Sequence, residues 1–255
     1  MVTLAPKYGK READNLWRWY LEADRPFDLF EDDLHKLSTF YPIQYLTGYA
    51  YFYGEKFIVN QHTLIPRPET EELVYQVLED HPPHSNRRVI DLGTGTGCIP
   101  ITVKKHRSHW FVTGLDLFPQ TLKVAKQNAE VHQVSIHWQI GDILNLDSGD
   151  LASYDIIISN PPYIRPDEGL ELDENVYRFE PHEALFTSDS DGLEFYRAIA
   201  RHGQQMRSGA HIYLEIHPHS ADQISDLFSD TNHFQNVEIL QDMQGRNRIM
   251  KANVV

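Results

Sequence analysis

Apolar positions along this chain change their spacing from segment to segment. Leu16, Trp17, Tyr20 and Leu21 fall close to one helical face, so residues 11–23 (READNLWRWYLEA) read as a helix. Asp28 is placed to cap a second short helix running to Leu37. In YPIQYLTGYAYFYGEKFIVN, aromatic and β-branched residues flank Gly54-Glu55, the pattern of a two-stranded hairpin. A helix starts at Pro68, where Glu69, Glu71 and Glu72 suit the positive end of the helix dipole. From Arg88 the pattern alternates. Strands are predicted at 88–92, 110–116, 135–140, 154–159 and 210–216, and helices near 97–107, 119–132, 191–206 and 219–229. Two further strands fit 234–240 and 246–252. Such alternation predicts an α/β fold, with a parallel sheet covered by helices on both faces and ligands bound outside the carboxyl ends of its strands. The chain then divides into an N-terminal helical cap (1–45), a β-hairpin linker (46–67) and an α/β domain (68–255).

Composition narrows the function classes. A formal net charge of −14 argues against broad, sequence-independent binding to nucleic acid, which needs a basic face. It suits a small-molecule substrate or a basic protein partner. Cys98 is the one cysteine, so no internal disulfide is expected, and its place behind a glycine loop reads as packing. No run approaches 18 apolar residues and the N-terminus has no apolar signal core, so a cytoplasmic protein without membrane contact is expected. Histidines are frequent, but even the cluster His211, His217 and His219 lacks zinc-site spacing, and no metal is expected. The acidic stretch 167–174 (DEGLELDE) reads as a solvated loop, or as part of a lid facing a basic partner.

VIDLGTGTGC runs off the first strand of the alternating region. Gly93, Gly95 and Gly97 are spaced G-x-G-x-G, and Cys98 stands where a dinucleotide fingerprint has its last glycine. Glycines let the backbone turn tightly and let a ligand approach closely. The helix start behind them predicts free N–H groups for a ligand carboxylate. Asp116 ends the next strand, where its carboxylate can accept from both hydroxyls of a ribose. Asp142 ends the third, where its carboxylate or the adjoining backbone can read an adenine amino group. An amino-acid carboxylate, a ribose and an adenine, without a pyrophosphate, are the parts of S-adenosylmethionine.

ISNPPYIRP follows the fourth strand. Pro161 and Pro162 remove two N–H donors, and each proline pushes its predecessor toward extended geometry. What remains is acceptor-rich: the Asn160 side-chain oxygen and the Pro161 carbonyl, with the flat ring of Tyr163 behind. Two acceptors suit a planar –NH2 group and leave its nitrogen lone pair free to point at a methyl donor. An amide nitrogen is a weak nucleophile, so alignment, worth about 7–11 kcal/mol in favourable cases, and stabilisation of charge growing on nitrogen must carry the catalysis.

Together, YLTG, LIPRPETEELV, VIDLGTGTG, ISNPPYI, RFEPHEAL, DGLEFYR and LEI resemble the release factor glutamine methyltransferase family over roughly residues 42–250. The Asn-Pro-Pro-Tyr element is shared with adenine-N6 and guanine-N2 methyltransferases of nucleic acids; IPRPETE and RFEP are more specific. The resemblance implies a Rossmann-like, seven-stranded class I S-adenosylmethionine-dependent methyltransferase domain behind a small helical domain. It implies methyl transfer to the side-chain amide nitrogen (N5) of the glutamine in a release factor's Gly-Gly-Gln motif, with S-adenosylhomocysteine as product. Cofactor contacts are implied at Gly93, Thr94, Gly95, Thr96, Gly97, Asp116, Asp142, Ile143 and Asn160. Glutamine contacts are implied at Asn160, Pro161, Pro162 and Tyr163, with Asn160, Pro161 and Tyr163 carrying catalysis and Arg67 and Glu69 beside the substrate. The expected partner is a release factor acted on by a monomer, with no stable nucleic acid partner. Only about forty residues precede YPIQYLTG, fewer than the family's usual helical domain, and Phe40-Tyr41-Pro42 stands where the family has Gly-Glu-Pro.

Two rival functions use the same residues. A nucleic acid amino-methyltransferase would place a flipped base against Asn160 to Tyr163, which calls for a stacking platform beyond Tyr163. A non-catalytic cofactor-binding subunit would not need Asn160 at all. Methyl incorporation into a release factor rather than DNA or RNA separates the first; loss of function in Asn160→Ala separates the second.

Overall fold

The computed structural model describes residues 4–147 and 149–255. At the N-terminus, α1 (Ala5–Tyr8), α2 (Lys10–Glu22), α3 (Phe30–Ser38) and α4 (Ile43–Thr47) pack around Leu4, Ala13, Leu16, Tyr20, Leu37, Ile43 and Leu46. Ala13, Leu16 and Tyr20 are the buried stripe of α2, at the spacing of one helical face. Asp28 does not cap α3. It lies in a 3-10 turn, Phe27–Leu29, whose tighter bonding occupies the backbone ahead of Phe30. A buried carboxylate braces the group: Asp33, 1% exposed, takes two bonds from Arg25 and one from the Tyr20 hydroxyl, and Arg25 also donates to the Leu46 carbonyl.

The hairpin is β1 (Tyr49–Phe52) and β2 (Glu55–Ile58). Its turn residues are Tyr53 and Gly54, both at positive φ, one position earlier than the sequence suggests. Two consecutive positive φ values give the turn whose twist matches paired strands. Asn128, fully buried, ties the hairpin to the glycine loop. Its Oδ1 accepts from Ile58 N–H, and its Nδ2 donates to the Ile58 and Thr96 carbonyls.

Beyond α5 (Pro68–Asp80) the chain runs β3 (Arg88–Leu92), α6 (Cys98–His106), β4 (Phe111–Asp116), α7 (Pro119–Val131), β5 (His137–Ile140) and β6 (Ile156–Ser159). It continues through α8 (Glu174–Phe179), α9 (Glu194–Gly203), β7 (His211–Glu215), α10 (Ala221–Ser229), β8 (Phe234–Gln241) and β9 (Asn247–Val254). The seven-stranded sheet has the order β5-β4-β3-β6-β7-β9-β8. β5, β4, β3, β6 and β7 are parallel; β9 is antiparallel to both β7 and β8. The parallel sheet expected from alternation therefore ends in an antiparallel hairpin. The Asp242–Arg246 turn is too short for the crossover that parallel pairing requires. Ile156, Ile157 and Ile158 are wholly buried because β6 is covered on both faces.

Residues 167–174, expected as a solvated loop or part of a lid, are mostly exposed and ordered as a 3-10 turn (Pro166–Glu171) leading into α8. The turn is anchored because Gly169 packs without a Cβ against Phe186 and Tyr177. From β3 the chain moves outward to β4 and β5, then returns to β6 on the other side. The reversal opens a crevice beyond the carboxyl ends of β3 and β6.

Candidate active site

A cavity of about 530 Å³ fills that crevice, lined by Gly93, Gly95, Asp116, Asp142, Ile143 and Asn160 among others. Asp116, 8% exposed, is held by two amides: Oδ2 accepts from Gly95 N–H at 3.0 Å and Oδ1 from Phe118 N–H at 3.1 Å. Burial raises its pKa, while the amides of Gly95, Phe118 and Leu117 pull it back. Each oxygen keeps lone-pair capacity toward the cavity. Asp142 is more committed. Its Oδ1 accepts from Leu144 N–H and its Oδ2 from the Asn145 amide, so its carboxylate caps the turn that presents Ile143.

Within the glycine loop the expected contacts divide. Gly93 and Gly95 line the cavity, whereas Thr94, Thr96 and Gly97 face the interior. Thr94 donates to Asp91, the Thr96 hydroxyl accepts from Cys98 N–H, and a Cβ on Gly97 would lie 3.0 Å from Trp138. The amides of Gly93, Thr94, Gly95 and Gly97 are also taken, by Leu115 O, Asp116 and Thr94 O. The loop thus brings bare backbone close to the cavity and holds Asp116. Cys98 is buried with its thiol pushed up to about 12 by desolvation, which makes it a packing residue.

The donor set fits S-adenosylmethionine. Among the described residues no lysine or arginine lines the cavity to answer a pyrophosphate, and the lining carboxylates Asp116, Asp142 and Glu183 suit a cation. Leu117, Phe118, Ile143 and Phe195 provide apolar wall for a purine. Beneath the loop, Asp91 is fully buried and its Oδ1 has no hydrogen-bond partner. Burial raises the group to about 7, and Asp91 is not among the residues that line the cavity.

Asn160 and Pro162 line this cavity and also a second one of about 410 Å³, which adds Arg67, Pro161, Tyr163, Glu171 and Asp173. Asn160 therefore stands at the junction. Its Nδ2 donates to Thr70 Oγ1 at 3.1 Å, and Thr70 Oγ1 donates to Glu215 Oε2 at 2.6 Å. Tyr163, expected as a flat ring toward substrate, lines the second cavity but turns its hydroxyl inward, 3.5 Å from Glu215 Oε1. Burial raises the Tyr163 pKa, so the hydroxyl stays protonated. Glu215 is 1% exposed and desolvation raises it to about 7, against the Thr70 hydrogen bond and the charge of Arg248.

Arg67 pairs with Glu180 at 2.6 Å, and Glu180 also accepts from Ile65 N–H at 3.0 Å. That joins IPRPETE to RFEP. Glu69 is half-buried on the same turn and makes no hydrogen bond or ion pair among the described residues; its charge acts on Tyr163 and Glu215. Sequence reasoning missed the Thr70–Glu215 hydrogen bond, Glu180 as the partner of Arg67, and the buried Asp91. Thr70, Glu180, Glu215 and Asp91 all lie inside the quoted motifs, but only folding shows that the Thr70 hydroxyl donates to Glu215, 145 positions away.

Residues 69–177 match the family model described as "Methyltransferase small domain". A release factor glutamine methyltransferase of Bacteroides thetaiotaomicron is 38% identical over 225 residues, covering 88% of this chain and 80% of that protein. One from Enterococcus faecalis is 38% identical over 240 residues, covering 92% and 85%. The crystal structure of a methyltransferase from Pyrococcus furiosus shares the fold at a TM-score of 0.56 and 14% identity, over 80% of this chain and 90% of that one. Identity of this order, sustained over most of both sequences, is membership: the chain belongs to the release factor glutamine methyltransferase family.

Proposed function

We propose that this chain transfers a methyl group from S-adenosylmethionine to the side-chain amide nitrogen of the glutamine in the Gly-Gly-Gln motif of peptide chain release factors. The observation that carries the reading is Asn160 at the junction of two cavities, its amide nitrogen engaged by Thr70 and its oxygen left as an acceptor. Bound in the first cavity, the cofactor supplies an electrophilic methyl on a sulfonium sulfur. Asp116 would hold the ribose hydroxyls, Ile143 and the backbone after Asp142 would meet the adenine, and Gly93 and Gly95 would allow close approach.

In the second cavity, Asn160 Oδ1 and the Pro161 carbonyl accept the two amide hydrogens of the glutamine. Among the described residues no donor reaches that carbonyl. The two bonds fix the plane of the –NH2 group and stabilise positive charge as the nitrogen gains a bond. Pro162 keeps donors away, and Tyr163 forms the wall. Arg67 and Glu69 act on the substrate side, Arg67 by fixing the cavity rim through Glu180.

The helical cap over residues 1–45, braced by Asp33, serves to dock the release factor, and the enzyme acts as a monomer in the cytoplasm. The charge of −14 supports a protein substrate over a nucleic acid partner. No helix among the described residues is long and apolar enough to cross a membrane. Incubation of the purified chain with labelled cofactor and a release factor, followed by mass spectrometry of the Gly-Gly-Gln peptide, tests the reading. One added methyl on the glutamine is expected, and none with Asn160→Ala. Labelling of DNA or RNA in place of the peptide would overturn it.

A further inference from the structure

We infer that Glu215, acting through the Thr70 hydroxyl, is the positioning residue that decides which end of the Asn160 amide faces the substrate. The inference rests on the methyl-transfer reading above and deepens it. A side-chain amide presents an acceptor at one end and a donor at the other, and the two are nearly equal in shape. Only the acceptor end can hold a substrate –NH2; the donor end would repel it. Asn160 therefore needs something to break the symmetry.

Thr70 has one hydroxyl hydrogen. A carboxylate accepts and cannot donate, so Glu215 Oε2 at 2.6 Å claims that hydrogen. The Thr70 oxygen then shows only lone pairs to its remaining neighbour. Asn160 must meet it with Nδ2, as it does at 3.1 Å, and Oδ1 is left for the cleft. While Glu215 is ionised, the chain runs one way because it begins at a group that can only accept. Thr70 is 4% exposed and Glu215 1%, so water does not compete for either partner.

Protonation of Glu215 removes the bias. A carboxyl O–H can donate to Thr70, which frees the Thr70 hydrogen to attract Asn160 Oδ1 and turns Nδ2 toward the cleft. Facing Glu215 are Thr70, Arg67 and Glu69 from the start of α5, Tyr163 after β6, Tyr196 of α9, which donates to the Glu215 carbonyl, and Arg248 of β9. Burial holds the group at about 7, so the bias weakens on mild acidification.

The test is kcat against pH, at saturating cofactor and release factor, for wild type, Glu215→Gln, Thr70→Val and Thr70→Ser. Wild type and Thr70→Ser should share an acidic limb near neutrality. Glu215→Gln and Thr70→Val should lose roughly tenfold to hundredfold in kcat and show no such limb, with the KM for S-adenosylmethionine little changed. Should Glu215→Gln not fold, the contrast between valine and serine at position 70 carries the same comparison. A Glu215→Gln enzyme with the wild-type rate, or Glu215→Gln and Thr70→Val enzymes that keep the limb, overturns the inference while wild-type methylation still stands. A wild type that methylates no Gly-Gly-Gln peptide defeats the underlying reading, and this inference with it.

Discussion

Replacing Arg67 by alanine separates two roles for that residue: a clamp inside the enzyme, or a contact to the substrate. Its partner Glu180 is 3% exposed, and the pair is 2.6 Å long. Removing the arginine leaves a buried carboxylate with one remaining donor, Ile65 N–H at 3.0 Å. Breaking a fully buried pair costs about 3–5 kcal/mol. The Arg67 side chain is 31% exposed, so water can take its place and the cost falls. Arg67→Ala should therefore lose about 2–3 kcal/mol of stability. Glu180→Ala removes the buried charge but strands the Ile65 amide, at about 1–3 kcal/mol. A double-mutant cycle by denaturant unfolding should return a coupling of about 1–2 kcal/mol between the two. Because Leu64 and Ala184 line both cavities on either side of this clamp, Arg67→Ala should raise KM for cofactor and release factor together. Stability within about 0.5 kcal/mol of wild type, with KM raised for the release factor alone, would show that Arg67 touches substrate and that the clamp is incidental.

Asp116→Asn keeps shape but offers one acceptor where the amides of Gly95 and Phe118 need two. A stranded N–H at about 1–3 kcal/mol predicts a roughly tenfold to hundredfold weaker Kd for S-adenosylmethionine; an unchanged value by titration calorimetry would count against the ribose assignment. Gly114→Ala should destabilise by at least about 1–3 kcal/mol, because its Cβ would lie 2.5 Å from Trp138 and 2.9 Å from Thr94 Oγ1; a wild-type unfolding midpoint would show that Trp138 moves freely. His81 is held neutral by burial, its pKa lowered from 6.5 to about 4. The unfolded chain therefore binds the extra proton first, and the stability His81 contributes above pH 6.5 is lost as pH falls toward 4. Unfolding free energy followed across that window should slope less in His81→Gln, and equal slopes would place the acid sensitivity elsewhere.

Strand and helix positions in the α/β region were legible because buried parallel strands read as short apolar runs and amphipathic helices as periodic ones. RVIDL becomes β3 over the predicted residues, and the other strands differ at their ends by a few positions. Pairing direction was not legible, since β8 and β9 carry strand-like residues whichever way they run. The ligand edge was legible from Gly93, Gly95, Asp116 and Asn160, which lie at strand ends by construction. Thr94, Thr96 and Gly97 looked the same in one dimension; the backbone twist of a loop at three positive φ values decides which face the cavity. Thr70 and Glu215 could not be joined by pattern, because a helix-start threonine and a strand-end glutamate are ordinary until α5 packs beside β7.

On the proposed reading, the site's central requirement is to keep acceptors pointed at the substrate's –NH2 group. Backbone and side chain meet it differently. Proline deletes the N–H groups that would spoil the surface, so the Pro161 carbonyl needs no further control. Asn160 carries a donor of its own, and deletion is not possible without losing the acceptor beside it. The chain instead gives that donor a buried partner whose own hydrogen is already claimed by Glu215. Aspartate at position 160 would remove the donor outright. It would also add a buried negative charge near Glu215 and leave Thr70, its hydrogen committed to Glu215, facing a second acceptor. The neutral amide with an oriented neighbour is thus the solution that avoids an unpaired charge, and it explains why the residue between β6 and the two prolines is asparagine.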